Sequence, residues 1–196
     1  MSMHERPILA LATVLVAGAA QAGWQDEASS YDQGRLAKIE EARAKGLAEA
    51  GAGPDMAVIH AVLDPAPQTA SPDSLVGSWR CRTIKLGGLT PDVVYGWFRC
   101  RISGKDGDMT FEKLSGSQRL SGKLYAYDPG GFVLLAGLNV KGEPSHRYSG
   151  NRPSVGAQAT PDDAIGLLSS IGPQRARIEF PYPVQESTFD VIELKR

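Results

Sequence analysis

The sequence is poor in the residues from which catalytic and metal sites are usually built. It has 196 residues but only 3 histidines and 2 cysteines. Two of the histidines, His60 and His146, lie beyond the N-terminal stretch, and no Gly-x-Ser-x-Gly motif frames a nucleophile. Zinc usually takes several His or Cys ligands at short spacing, and glycine loops of the phosphate-binding or dinucleotide-binding type do not occur. The sequence therefore predicts no metal and no cofactor, and it identifies no catalytic residue.

An excess of one charge is also missing. The chain has 21 Lys and Arg against 22 Asp and Glu, a formal net charge of −1. Binding to nucleic acid needs a clustered basic excess, so we expect no nucleic-acid partner. The sequence leaves open whether the ligand is a protein or a small molecule, and it does not determine the oligomeric state.

Long apolar runs are absent except at the start of the chain. The run 8–19 is short for a permanent membrane helix, and Ala20-Gln21-Ala22 supplies the small residues that a signal peptidase reads. We expect residues 1–22 to be a signal peptide, with an uncleaved N-terminal anchor as the alternative. The mature protein would be periplasmic or secreted, with no stable membrane insertion after cleavage. In that oxidising setting the only cysteines, Cys81 and Cys100, are most simply a disulfide.

The residues that follow the signal peptide have a helical pattern. Residues 23–70 carry an amphipathic stripe at Leu36, Ile39, Ala42 or Arg43, and Leu47, and a second helix is predicted over 55–63. We divide the chain into the signal peptide, a helical N-terminal segment (23–70) and a β-barrel domain (71–196) pinned by the disulfide.

The rest of the chain favours short strands joined by turns, as its 22 glycines and 13 prolines suggest. The fold class is mainly β (α+β), with an antiparallel barrel of about eight strands preferred over a sandwich. A short helix is predicted at 161–170. The strands are predicted near 76–86, 93–103, 108–114, 119–127, 131–140, 145–149, 175–181 and 188–195.

The first strand begins with Gly77-Ser78-Trp79. This is similar to the Gly-x-Trp opening of lipocalin-like barrels, in which the tryptophan closes one end. A core tryptophan of another small β domain is the alternative.

One phrase occurs twice: Trp79-Arg80-Cys81-Arg82 and Phe98-Arg99-Cys100-Arg101. Because alternate side chains of a strand point to opposite faces, the aromatic residues and cysteines share one face and the four arginines the other. Neighbouring arginines repel each other. Acidic side chains could offset this, with Glu112, Glu179 and Asp190 as candidates. An anionic ligand or an acidic partner surface is the other possibility, since guanidinium groups bind carboxylates and phosphates in pairs of hydrogen bonds.

Two further segments offer polar side chains. The turn 115–119 could hold an anion on its amides beside Ser117, Gln118 and Arg119, or its composition could simply serve the turn. Glu186 follows a proline-stiffened loop, where it could contact a ligand, pair with an arginine or lie in a surface turn.

Several motifs in this part of the chain resemble domain-of-unknown-function family 4893, a set of exported bacterial proteins. The resemblance covers nearly all of the mature chain. It rests on WRCRTIKLG (79–87), YGWFRCR (95–101), KLSGSQR (113–119), GKLY (122–125), IGP (171–173) and FPYPVQESTFDVIEL (180–194). It supports export and the disulfide, and it implies no enzyme, substrate or cofactor.

The sequence favours a binding protein over an enzyme, one that recognises a small anionic ligand or an acidic protein surface. A hydrolase that uses Ser117, Arg119 and Glu186 on an anionic substrate is the first alternative. The second is an envelope-assembly or structural role for the N-terminal helices, if their apolar stripe is exposed.

Overall fold

In a computed structural model, residues 23–105, 107–150 and 160–196 are described, and the predicted signal peptide lies outside them. Five helices precede the sheet: α1 (Trp24–Glu27), α2 (Ser30–Leu36), α3 (Ile39–Ala50), α4 (Met56–Leu63) and α5 (Pro72–Leu75). Nine strands follow: β1 (Gly77–Leu86), β2 (Asp92–Val94), β3 (Phe98–Ser103), β4 (Met109–Lys113), β5 (Gln118–Tyr127), β6 (Gly131–Val140), β7 (Asp163–Gly172), β8 (Arg175–Pro181) and β9 (Phe189–Lys195). In this described part, no helix has the length and apolarity needed to cross a membrane.

The strands form one antiparallel sheet in the order β2-β1-β3-β4-β5-β6-β7-β8-β9, and β9 also pairs with β1. This last pairing closes eight strands into a barrel, which confirms the predicted architecture. The short β2 lies outside the closed ring and pairs only with the end of β1.

Two details of the predicted strands are wrong. The segment 93–103 is interrupted: Cys81 pairs with Phe98 and Ile84 with Val94, so that two residues of β1 face three of the other strand and a bulge results. The stretch 145–149 forms no strand, because Tyr148 binds helix α2 instead: its hydroxyl accepts the Ser29 N–H (2.9 Å) and donates to Asp32.

The predicted helix at 161–170 is instead β7. Its apolar run is buried on both faces, with Ala164 and Leu168 inside the barrel and Ile165 outside, against helix α2. Such a run lacks the alternation that marks a half-exposed strand, so periodicity cannot distinguish it from a helix.

The side chains that β1 contributes to the core lie on opposite faces at the two ends of the strand. Trp79 and Cys81 point into the barrel and join its central apolar cluster. Ile84 and Leu86 point outward and are buried beneath α3 and α4, together with Phe189 of β9. The barrel is therefore filled from inside at one end and supported from outside at the other.

Helix α3 makes the closest approach to the barrel at Gly46. A Cβ there would lie 2.8 Å from the Phe189 Cβ and 3.2 Å from the Leu86 Cβ. Ala42 is buried in the same contact, and Ile39 and Leu47 pack beside it. The apolar stripe of the N-terminal helices is thus part of the core.

The segment 68–75 closes the end of the barrel at which Trp79 lies. Ala70 donates its N–H to Gly130, and Leu75 is buried in the barrel cluster. The Trp79 indole donates to the Leu75 carbonyl (2.7 Å), and the Arg196 guanidinium lies 4.1 Å from the centre of its ring. The opposite end is open.

Candidate functional site

The two cysteines form the predicted disulfide, with their Cα atoms 5.8 Å apart. They are not directly opposite each other, because Cys81 pairs with Phe98 and Cys100 with Trp79. The bond therefore runs diagonally between β1 and β3. Both cysteines are buried inside the barrel, and the described residues include no free thiol.

A cavity of about 220 Å³ occupies the open end of the barrel. Its apolar walls come from inward-facing positions of five strands and the β8–β9 loop: Leu120, Leu138, Val140, Ala164, Phe180, Val184 and Ile192. Charged and polar side chains stand among these walls. We call this cavity, with its rim, the mouth.

Lys113 is a buried cation of the mouth. The residue is only 8% exposed, and its ammonium donates to the Gln118 carbonyl (2.8 Å) and lies 4.6 Å from the centre of the Phe98 ring. No carboxylate of the described residues lies within ion-pair distance of it. Burial, with repulsion from Arg119 and Lys85, lowers the pKa of Lys113.

Lys85 also lines the cavity, and it has a carboxylate partner. Its ammonium forms an ion pair with Glu186 at the rim. Burial alone would lower the pKa of Lys85, but the hydrogen bond to Glu186 and the negative charges of Asp190 and Glu186 raise it above its usual value. Lys85 therefore stays charged in the mouth.

Asp190 faces Lys85 from β9. Ser187 donates its hydroxyl to the Asp190 carboxyl group (2.5 Å). Burial raises the pKa of Asp190 to about 6, although the Ser187 bond and the Lys85 charge act in the opposite direction. This carboxyl group changes its charge near the pH of a mildly acidic medium.

The turn 115–119 supplies two of the predicted residues to the mouth. Gln118 and Arg119 line the cavity, and the Arg119 Nε donates to the Gly116 carbonyl (2.8 Å). Ser117 is not among the cavity-lining residues, and its carbonyl accepts the Lys141 N–H. The Ser115 hydroxyl accepts the Arg99 N–H, an ordinary turn contact.

Glu186 reaches the mouth because of the loop that carries it. The loop is fixed by Pro181 and Pro183, and both Tyr182 (φ 45°) and Glu186 (φ 70°) adopt left-handed backbone conformations. The Glu186 carbonyl accepts the Leu89 N–H, which ties the loop to the β1–β2 connection.

The four arginines of the repeated phrase lie elsewhere, on the outer wall of the barrel. Arg82 forms an ion pair with Glu193 (2.6 Å), and its guanidinium lies 4.7 Å from the centre of the Trp97 ring. Arg80 contacts the same ring at 5.1 Å. Arg99 and Arg101 are exposed and make no ion pair within the described ranges.

The acidic candidates for pairing with these arginines behave differently from one another. Glu112 is in register with Arg101 across β3 and β4. Glu179 is fully buried and instead binds Arg43 (2.7 Å) and Arg177 (2.8 Å), while Asp190 faces the mouth. The carboxylate that pairs with Arg82, Glu193, was not among the predicted partners.

The structure thus separates the eight predicted ligand contacts into two groups. Gln118, Arg119 and Glu186 share the mouth, the four arginines share the outer wall, and Ser117 belongs to neither.

Sequence reasoning missed Lys85 and Lys113 as contacts, although strand alternation carries a signal for both. Lys85 is in phase with the inward residues Trp79, Cys81 and Thr83, and Lys113 is in phase with Met109 and Phe111.

The described residues contain no group of three or more His, Cys, Asp or Glu side chains that could hold a metal ion. A comparison with curated proteins finds no match. A family model described as Domain of unknown function (DUF4893) matches residues 24–194, which include the barrel, the mouth and the helices packed on the barrel wall. The chain belongs to this family.

Proposed function

We propose that this protein binds a small organic anion in the mouth of its barrel, and that it does so in the periplasm or outside the cell. The observation that carries the proposal is the buried ammonium of Lys113, which has cations rather than a carboxylate beside it. A buried charge without a partner of opposite sign is costly. A bound carboxylate or phosphate would supply that partner.

The neighbours of Lys113 suit the same role. Arg119 can present a planar guanidinium fork to an anion, and the Gln118 side chain lies on the same rim. The Lys85 charge is already offset by Glu186. We therefore place the anionic group of the ligand between Lys113 and Arg119.

The rest of the mouth indicates what the ligand carries besides its charge. Leu120, Leu138, Phe180 and Ile192 offer apolar surface beside the charged rim. A cavity of about 220 Å³ is small compared with the roughly 300–1,000 Å³ of drug-sized sites. A short amphipathic acid, with an apolar part between these walls, fits both features.

Export is part of the proposal. The Cys81–Cys100 disulfide supports it, since such bonds persist in oxidising compartments. We also propose that the barrel is lipocalin-like in use: one end closed by Trp79 and the other open to a ligand.

A hydrolase would need Ser117, Arg119 and Glu186 in one cleft, and the position of Ser117 outside the cavity lining weighs against that arrangement. An assembly role for the helices loses its main argument, because the stripe from Ile39 to Leu47 packs on the barrel. Binding is therefore the proposal that the geometry supports best.

The test uses calorimetric titration with linear carboxylates from acetate to decanoate, with inorganic phosphate as a second probe. We expect binding that strengthens with chain length and then stops when the cavity is full. Lys113→Met should abolish it, while Lys123→Met is the matched control, because Lys123 lies on the outer face of β5 and is half exposed. Binding that is equal in the wild-type protein and Lys113→Met, or no binding of any probe, would overturn the proposal.

A further inference from the structure

Four cations form one row across the outer wall of the barrel. Arg175 of β8 is in register with Lys195 of β9, which is in register with Arg80 of β1, which is in register with Arg99 of β3. Their chain neighbours on these strands point inward and are buried, so all four side chains point outward. Because neighbouring strands lie about 4.8 Å apart, the row spans about 15 Å.

The rows on either side contain a carboxylate, and this row does not. On one side Glu193 stands between Arg177 and Arg82 in the strand register. On the other side Arg101 is opposite Glu112. The central row is therefore the place where cations face each other directly across strands, an arrangement that destabilises a sheet.

Three of the four cations of this row are accessible and are not neutralised by an ion pair among the described residues. Arg80, Arg99 and Lys195 are exposed, and over the part of the chain that the structure describes none of them forms an ion pair. Arg175 reaches Glu193 (3.1 Å), the carboxylate that Arg82 also binds. We call this surface the cationic wall; its six cations are Arg80, Arg82, Arg99, Arg101, Arg175 and Lys195.

We propose that the cationic wall is a docking surface for a short acidic segment of a partner protein. Six cations share the wall with two carboxylates, Glu112 and Glu193, in a chain whose net charge is −1. Guanidinium groups bind carboxylates through pairs of hydrogen bonds. A segment rich in Asp and Glu would offset the repulsion along the central row. The wall shares no residue with the mouth, so this proposal is independent of the one for the small anion.

A protein segment fits better than a lipid surface. Proteins that lie on membranes combine basic residues with apolar side chains that enter the lipid. Here Trp97, the aromatic residue of the wall, lies against Arg80 and Arg82 and is only partly exposed. The most exposed large apolar residue described is Leu89, which lies on the β1–β2 connection beside the mouth. No such residue stands within the row of cations.

The experiment measures the binding of fluorescent poly-L-glutamate to the full mature chain by anisotropy at several salt concentrations. We expect the double variant Arg99→Glu/Lys195→Glu to bind at least about tenfold more weakly than the wild-type protein. We also expect its melting temperature to be unchanged or higher, because both changes replace a repulsive contact with Arg80 by an attractive one. Weaker binding without loss of stability separates a docking role from a structural one.

The control is Lys38→Glu/Lys123→Glu, which changes the net charge equally at exposed positions on other surfaces. It should bind poly-L-glutamate almost as well as the wild-type protein. The proposal is overturned if the wild-type protein does not bind, or if both double variants lose affinity to the same extent. It is overturned in favour of a lipid surface if vesicles of equal parts phosphatidylglycerol and phosphatidylcholine bind the wall and poly-L-glutamate does not.

Discussion

The two ends of the barrel are built from the same strands in opposite ways. At the closed end, Trp79 and Leu75 are buried in the interior. At the mouth, Lys85, Lys113 and Asp190 occupy equivalent inward positions around a cavity. The strands around the mouth are stabilised on their outer side instead, where Ile84, Leu86, Phe189 and Val191 are buried. A strand end can thus be stabilised on one face and leave the other face free for a ligand.

The largest expected effect comes from truncation at the closed end. Trp79→Ala removes a buried side chain together with its hydrogen bond to Leu75 and its contact with Arg196. We expect the free energy of unfolding to fall by about 3–5 kcal/mol. Chemical denaturation of the purified variant measures it.

Lys113→Met provides the comparison at the mouth. It removes a buried ammonium whose pKa is lowered by burial, and it puts an apolar side chain of similar length in its place. We expect the free energy of unfolding to be unchanged or slightly higher. If Lys113→Met were as destabilising as Trp79→Ala, the two ends would not differ in the way described here.

The disulfide is expected to act on both ends alike. Cys81→Ala/Cys100→Ala opens a link between residues 19 apart in sequence. In the chain-entropy model this costs about 3 kcal/mol, because the unfolded chain gains freedom. Hydrogen exchange should show protection reduced to a similar degree near Trp79 and near Asp190. A loss confined to the mouth would mean that the bond instead braces the folded state locally.

Asp190 should give the mouth a pH dependence. Its pKa in the folded protein is about 6, against an ordinary value of 3.8. Between these values the folded protein holds a proton that the unfolded chain has released. The contribution of Asp190 to stability is therefore present below about pH 4 and is lost as pH rises through 6, by up to about 3 kcal/mol.

Asp190→Asn removes this titration and serves as the comparison. Denaturation curves of both proteins are measured from pH 3.5 to 7.5, a window of about two units around the pKa. We expect the wild-type protein to lose stability relative to the variant as the pH rises. Parallel curves would show that Asp190 has an ordinary pKa.

A smaller loss of stability than that of Trp79→Ala concerns the external support of the mouth. Gly46→Ala places a Cβ 2.8 Å from the Phe189 Cβ, so helix α3 or strand β9 must shift. We expect a loss of about 1–3 kcal/mol, partly offset by the higher helix propensity of alanine. Gly34→Ala in helix α2 is the control: nothing lies within 4 Å of the new Cβ, and propensity alone should stabilise the protein by up to about 1 kcal/mol. Equal effects of the two changes would argue against close packing of α3 on the mouth.

Much of the fold followed from local pattern. Turn residues and alternation predicted most strands to within one or two residues, as for β6 (Gly131–Val140) and β8 (Arg175–Pro181). Local pattern failed at β7, where both faces are buried, and at the bulge after Val94, where one extra residue leaves no compositional mark. The mouth was predicted only in part, because its contacts come from strands far apart in the chain.

Alternation is a property of the extended backbone, so the local pattern of residues is enough to assign the face of each side chain in β1 and β3, and with it the disulfide and the outward arginines. Which residues meet across strands depends on the tertiary structure. Closure by β1 and β9 places Asp190 opposite Lys85 and aligns Arg175, Lys195, Arg80 and Arg99 in one row. Register depends on the joint packing of all strands and helices, so no single segment of the chain encodes it.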